Sequence, residues 1–160
     1  MKRAIIQTIV VLITLAGGTP AQQGGLPLPP PPGQDPFVGT WRASRHKSRP
    51  KLDDINASYE RTIVREGDEI VFSSRIRLRH RVDEHHYRYR CDGMLYPGLE
   101  GSQSCLYKAA NLIESETSQG AGKNYMTLEV SADGQEMRIV TYKDKARAKV
   151  ESLWVMDRVN

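Results

Sequence analysis

Beyond about residue 37, apolar and polar positions alternate along most of the chain. Ile70, Phe72, Ile76 and Leu78 fall on one face of an extended run, with Arg75, Arg77 and Arg79 on the other. That period of two belongs to a half-buried strand. Ala57, Tyr59 and Ile63 alternate likewise on the preceding run, and Gly67–Asp68 stands where a two-residue hairpin turn belongs. This register sets Arg61 opposite Ser74 inside and Glu60 opposite Arg75 outside. Asp92–Gly93, Gly120–Gly122 and Asp133–Gly134 mark further turns. The runs predict strands over about 37–43, 56–66, 69–79, 84–91, 103–109, 111–117, 124–131, 135–144 and 147–158. Short strands joined by tight turns make an all-β fold, an antiparallel up-and-down barrel of about eight to nine strands. One-sided alternation excludes a parallel α/β sheet, whose strands are apolar on both faces. Lys51–Asn56 is the one stretch expected to hold a turn of helix.

The chain before residue 37 follows different rules. Lys2 and Arg3 precede a mostly apolar, uncharged stretch from Ala4 to Ala16, and Thr19, Pro20 and Ala21 supply small residues for cleavage. Residues 1–21 therefore read as a signal peptide, and the mature protein as exported, periplasmic or secreted. The apolar stretch is short of the roughly 20 residues of a membrane span; an uncleaved anchor is the competing reading. No transmembrane segment is expected after cleavage. Residues 22–36 hold six of the nine prolines and read as a polyproline linker, with a ligand for a proline-binding module as the alternative. The folded domain is expected over 37–160.

Length and composition agree with one soluble domain: 160 residues, 39% hydrophobic, 26% charged and a mean hydropathy of −0.53. The net charge of +4 becomes +2 once Lys2 and Arg3 are removed, which does not mark a nucleic-acid binder. Export also changes the meaning of Cys91 and Cys105, the only cysteines. In an oxidising compartment they pair into one disulfide; two unpaired thiols are the alternative.

At Gly39–Thr40–Trp41 the sequence resembles the lipocalin (calycin) barrels, whose first strand opens on Gly-x-Trp. There the glycine permits a tight entry and the tryptophan plugs one barrel end. The resemblance implies a basic residue of the last strand packed over that ring, and Arg158 is so placed. Lys47–Ser48, then Tyr87, Tyr89, Cys91 and Gly93 with Tyr96–Pro97, then Ser131, Asp133, Gly134 and Met137, and finally Met156–Asp157–Arg158 extend the likeness over about 37–159. Together they resemble a family of small exported bacterial lipocalin-like proteins of unknown function. That family implies fold and export, with no catalytic residue to carry over. The cysteine pair and the dense Arg and His content of 75–90 depart from it.

A barrel of this size is filled or holds one small ligand. The inner face offers Tyr59, Arg61, Phe72 and Ile76, with Tyr87 and Tyr89 as further candidate contacts. A buried arginine needs a carboxylate from the protein or from a ligand, so the expected role is binding a small hydrophobic or amphipathic, acidic ligand. A register shift or a wide mouth would instead leave Arg61 solvated. Residues 75–90 carry six arginines (75, 77, 79, 81, 88 and 90) against Asp83 and Glu84, a local +4. That stripe suits an acidic protein or an anionic envelope polymer, or is a solvated outer face cross-paired with glutamates. His85 and His86, adjacent on a strand, point to opposite faces and do not share a metal ion. With no nucleophile elbow, phosphate loop or His-Glu-x-x-His present, neither an enzyme nor a cofactor is expected. Tyr89–Gly93 and Gly122–Tyr125 loosely resemble the exported C-type lysozyme inhibitors, which makes a hydrolase inhibitor or envelope protein-binding module the alternative function.

Overall fold

A computed structural model describes residues 28–31, 33–49, 57–98, 101–120 and 122–160. The expected signal peptide (residues 1–21), the start of the Pro-rich segment and the expected helical turn at Lys51–Asn56 lie outside the described residues. The described chain forms ten strands: β1 (Gly39–Ala43), β2 (Ser58–Glu66), β3 (Glu69–Arg77), β4 (Val82–Arg90), β5 (Asp92–Gly98), β6 (Gly101–Ala109), β7 (Leu112–Gln119), β8 (Gly122–Val130), β9 (Glu136–Tyr142) and β10 (Val150–Arg158). They make one antiparallel sheet in the order β4-β3-β2-β1-β10-β9-β8-β7-β6-β5. The first and last strands pair, Trp41 opposite Arg158, and the sheet curls into a nearly closed barrel. No described helix is long and apolar enough to cross a membrane.

The β2–β3 hairpin has the register read from its pattern, with Arg61 opposite Ser74 and Glu60 opposite Arg75. Gly67 supplies the positive φ, +64°, that a two-residue hairpin demands. Three boundaries differ from expectation. Asp92–Gly93 is no hairpin turn: the chain leaves β4, passes through Cys91 and enters β5, a strand beyond the nine expected. β3 ends at Arg77, so Arg79 and Arg81 sit in a turn closed by the Leu78 amide on the Arg81 carbonyl at 2.9 Å. β10 starts at Val150 because Asp144 accepts from the Ala148 and Lys149 amides, holding a loop in which Arg147 takes φ +55°.

The barrel interior is layered. Ile113, Leu128 and Ile139 lie side by side across β7, β8 and β9, with Val130 opposite Met137 below them. All five are buried, as are Ile63, Ile70 and Met156. Trp41 closes this apolar end, its indole N–H donating to the Phe37 carbonyl at 2.8 Å. Arg158 lies over the indole, 4.1 Å from the ring centroid, and donates to the carbonyls of Val38, Pro36 and Gly134 at 2.8, 2.7 and 2.6 Å.

The Pro-rich segment does not stay a free spacer as far as residue 36. Pro30 is buried and its carbonyl accepts from Arg65 at 3.0 Å. Asp35 is buried, pairs with Arg65 at 3.2 Å, and accepts from the Tyr107 hydroxyl at 2.5 Å and the Phe37 amide at 3.0 Å. Burial, then the Asp35 bond, push the Tyr107 phenol far above its ordinary pKa. The folded unit therefore begins before Phe37, by Pro30 at the latest.

Candidate functional site

The apolar layers fill only part of the barrel. Continuing the inward positions along each strand, Ile113 is followed by Ser115 and Thr117, Leu128 is preceded by Met126 and Asn124, and Ile139 is followed by Thr141. Cross-strand pairing sets Ser115 beside Met126 and Cys105, and Thr117 beside Asn124 and Gln103. Above the apolar floor, these β6–β9 side chains form a wall of hydroxyls and amides.

The opposite wall is aromatic. On β3 and β4, Ile70, Phe72 and Ser74 face Tyr89, Tyr87 and His85. Phe72 and Tyr89 meet edge to face at 5.5 Å, Tyr87 and Tyr89 lie 6.5 Å apart, and His85 is nearly parallel to Tyr87 at 6.1 Å. Burial raises the Tyr89 phenol pKa, partly opposed by the positive charge of Arg61.

Between the walls is a cavity of about 1050 Å³, lined by Arg61, Phe72, Tyr87 and Tyr89 on one side and by Gln103, Ser115, Thr117, Asn124 and Thr141 on the other. Its lining also includes Glu84, His86 and Arg88, which belong to the outer face of β4. The cavity thus reaches the outside past the free edge of that strand. β4 and β5 follow each other in the chain yet form opposite edges of the sheet, so no ladder closes the wall between them. Side chains hold the lower part of this seam: Cys91 and Cys105 form a buried disulfide, Gln103 Nε2 donates to the Arg88 carbonyl at 2.8 Å, and Arg90 lies 5.3 Å from the Tyr96 ring. The Tyr96 hydroxyl donates to Asp92 at 2.6 Å, which lowers the Asp92 pKa and raises that of Tyr96. Replacing both cysteines with serine is expected to lower stability by about 3 kcal/mol, the unfolded-chain entropy released by opening a loop of this length. Urea denaturation checks it; an unchanged midpoint would show that the other seam contacts suffice.

Arg61 is the charged group on the inner face of the cavity; Glu84 and Arg88 join the lining from the outer face of β4. Arg61 Nε donates to Ser74 Oγ at 3.0 Å, and its guanidinium carbon lies 5.5 Å from both the Tyr59 and the Phe72 ring centroids. Among the described residues no carboxylate pairs with it. Of the six candidate contacts, Arg61, Phe72, Tyr87 and Tyr89 line the cavity. Tyr59 backs Arg61 and meets Trp154 edge to face at 5.1 Å, while Ile76 packs against the core. His85 and the polar wall escaped the sequence reading. Ser115 and Thr117 alternate with Glu114 and Glu116, so both faces of β7 look polar; carrying the inward phase on from Ile113 would have found them.

The arginine stripe is largely neutralised. Arg75 pairs with Glu84, Arg81 with Asp83, Arg88 with Glu66 and Glu69, and Arg90 with Asp68. Arg77 and Arg79 have no ion pair among the described residues. His85 faces inward, whereas His86 faces outward with Nδ1 3.1 Å from Ser73 Oγ.

No protein-family model and no curated protein matches the chain. Solved structures do. A REP1-NXSQ fatty acid transporter is similar over 77% of this chain and 96% of its own, at 14% identity and a TM-score of 0.51. A Schistosoma mansoni fatty acid binding protein in complex with arachidonic acid is similar over 79% and 98%, at 10% identity and a TM-score of 0.54. Human cRBP IV is similar over 77% and 98%, at 10% identity and a TM-score of 0.55. At such identities these likenesses show the fold alone, an antiparallel up-and-down β-barrel.

Proposed function

We propose that the protein is an exported, non-enzymatic carrier or sensor of a small amphipathic acid, held in the barrel cavity with its acid group on Arg61. One observation carries this reading: a guanidinium between two aromatic rings in a cavity, hydrogen-bonded to Ser74 and without an anionic partner among the described residues. Arg61 is half-buried, so an anion would gain from partial desolvation of the site, and a ligand carboxylate fits its fork with two parallel bonds. The structural neighbours named for fatty acids support the same use of the fold.

Titration with 1-anilinonaphthalene-8-sulfonate, an amphipathic anion whose fluorescence rises on leaving water, tests the proposal. Wild-type protein is expected to bind it saturably, and Arg61→Met to lose about ten- to a hundredfold in affinity, the worth of a charge-assisted bond of about 1.5–3 kcal/mol. Equal affinity of the two proteins would remove Arg61 from the site.

A further inference from the structure

The two walls of the cavity differ in chemistry, and that difference selects among acids. Gln103, Ser115, Thr117, Asn124 and Thr141 present hydroxyls and amides to the cavity from one side. An alkyl chain laid against them would strip their water and return no hydrogen bond, a loss that sites lined with polar groups turn into discrimination. From the other side come Phe72, Tyr89 and Tyr87. Tyr87 is still 39% exposed, with only the nearly parallel His85 ring at 6.1 Å and Tyr89 at 6.5 Å as aromatic neighbours among the described residues. A flat π-face offered to a cavity is best covered by another ring in an offset stack, and Arg61 stands at the end of that wall over Phe72. The cavity opens past the free edge of β4, where Glu84, His86 and Arg88 join its lining.

We infer that the ligand is a planar aromatic acid bearing hydroxyl groups: its ring stacks along Tyr87, its carboxylate meets Arg61, and its hydroxyls bond the Gln103–Thr117–Asn124 row. This rests on the proposed role of the cavity as an acid site, and departs from the aliphatic cargo named for the structural neighbours.

Displacement of bound 1-anilinonaphthalene-8-sulfonate from the full chain, expressed in an oxidising compartment, separates the possibilities. The competitors are 4-hydroxycinnamate, decanoate and galacturonate. The expected result is 4-hydroxycinnamate at least tenfold tighter than either other acid, with that advantage reduced at least fivefold in Tyr87→Leu and, separately, in Thr117→Val. Decanoate binding as well or better, still dependent on Arg61, would overturn the aromatic assignment and leave the acid site standing. Galacturonate matching 4-hydroxycinnamate would show that hydroxyls alone select, which also overturns it. If none of the acids binds in an Arg61-dependent way, both readings fall. The ranking of the three acids on the wild-type protein decides the aromatic assignment even if Tyr87→Leu or Thr117→Val does not fold.

Discussion

Asp35→Ala is expected to cost about 3–5 kcal/mol, the range found when one partner of a buried ion pair is removed. The side chain of Asp35 is 1% exposed and that of its partner Arg65 11%. Without the carboxylate, Arg65 keeps, among the described residues, the carbonyls of Pro30 and Gly67, and the Tyr107 hydroxyl loses its acceptor in a buried site. Asp35→Asn separates the two parts of this loss, because an amide can still accept from Tyr107 but carries no charge to balance Arg65. Urea denaturation reads both variants. The same measurement on a chain beginning at Phe37 should show a comparable deficit, since that chain lacks Asp35 together with the Pro30 and Pro36 carbonyls. A truncated chain as stable as the full one would return the Pro-rich segment to the role of a spacer.

Asp35 also shows where reading the sequence stops. Polyproline composition identifies a stretch that joins no helix or central strand, but says nothing about whether its far end docks. The β2–β3 hairpin was legible because one buried face forces the period and a shift of one residue would turn Ile63, Ile70 and Phe72 outward. β5 was not legible for the complementary reason. It is an edge strand with a register shift between Asp92 and Leu95, its Met94 and Leu95 are 63% and 68% exposed, and Pro97 is tolerated only because one side is unpaired. With no face buried, no alternation is imposed. The cavity was legible in part: its aromatic wall alternates with arginines, whereas its polar wall alternates with glutamates and so carries no contrast. The pairing of the arginine stripe with acids was one of the two readings the sequence offered; the acids come from the Glu66–Glu69 turn and from β4 itself.

The Gly-x-Trp signature leads to the second large effect. Gly39→Ala is expected to cost about 3–4 kcal/mol, although it adds one methyl group. Gly39 has φ +143°, where a side chain is strained by about 1–3 kcal/mol. The new Cβ would also lie 2.5 Å from Arg158 Nη1. A free arginine tip would swing aside at little cost, but this one is pinned by three backbone carbonyls and by the face of Trp41. To make room it must surrender bonds of the charge-assisted kind, about 1.5–3 kcal/mol apiece when not replaced. A double-mutant cycle with Arg158→Met divides the cost. If the methyl acts through Arg158, Gly39→Ala in the Arg158→Met background should lose only the backbone strain, with a coupling of about 1–2 kcal/mol between the sites. Full additivity would place the whole requirement for glycine in its backbone conformation. A measured coupling makes the glycine, the indole and the distant arginine one closure of the barrel end, on which the apolar layers and the cavity above them rest.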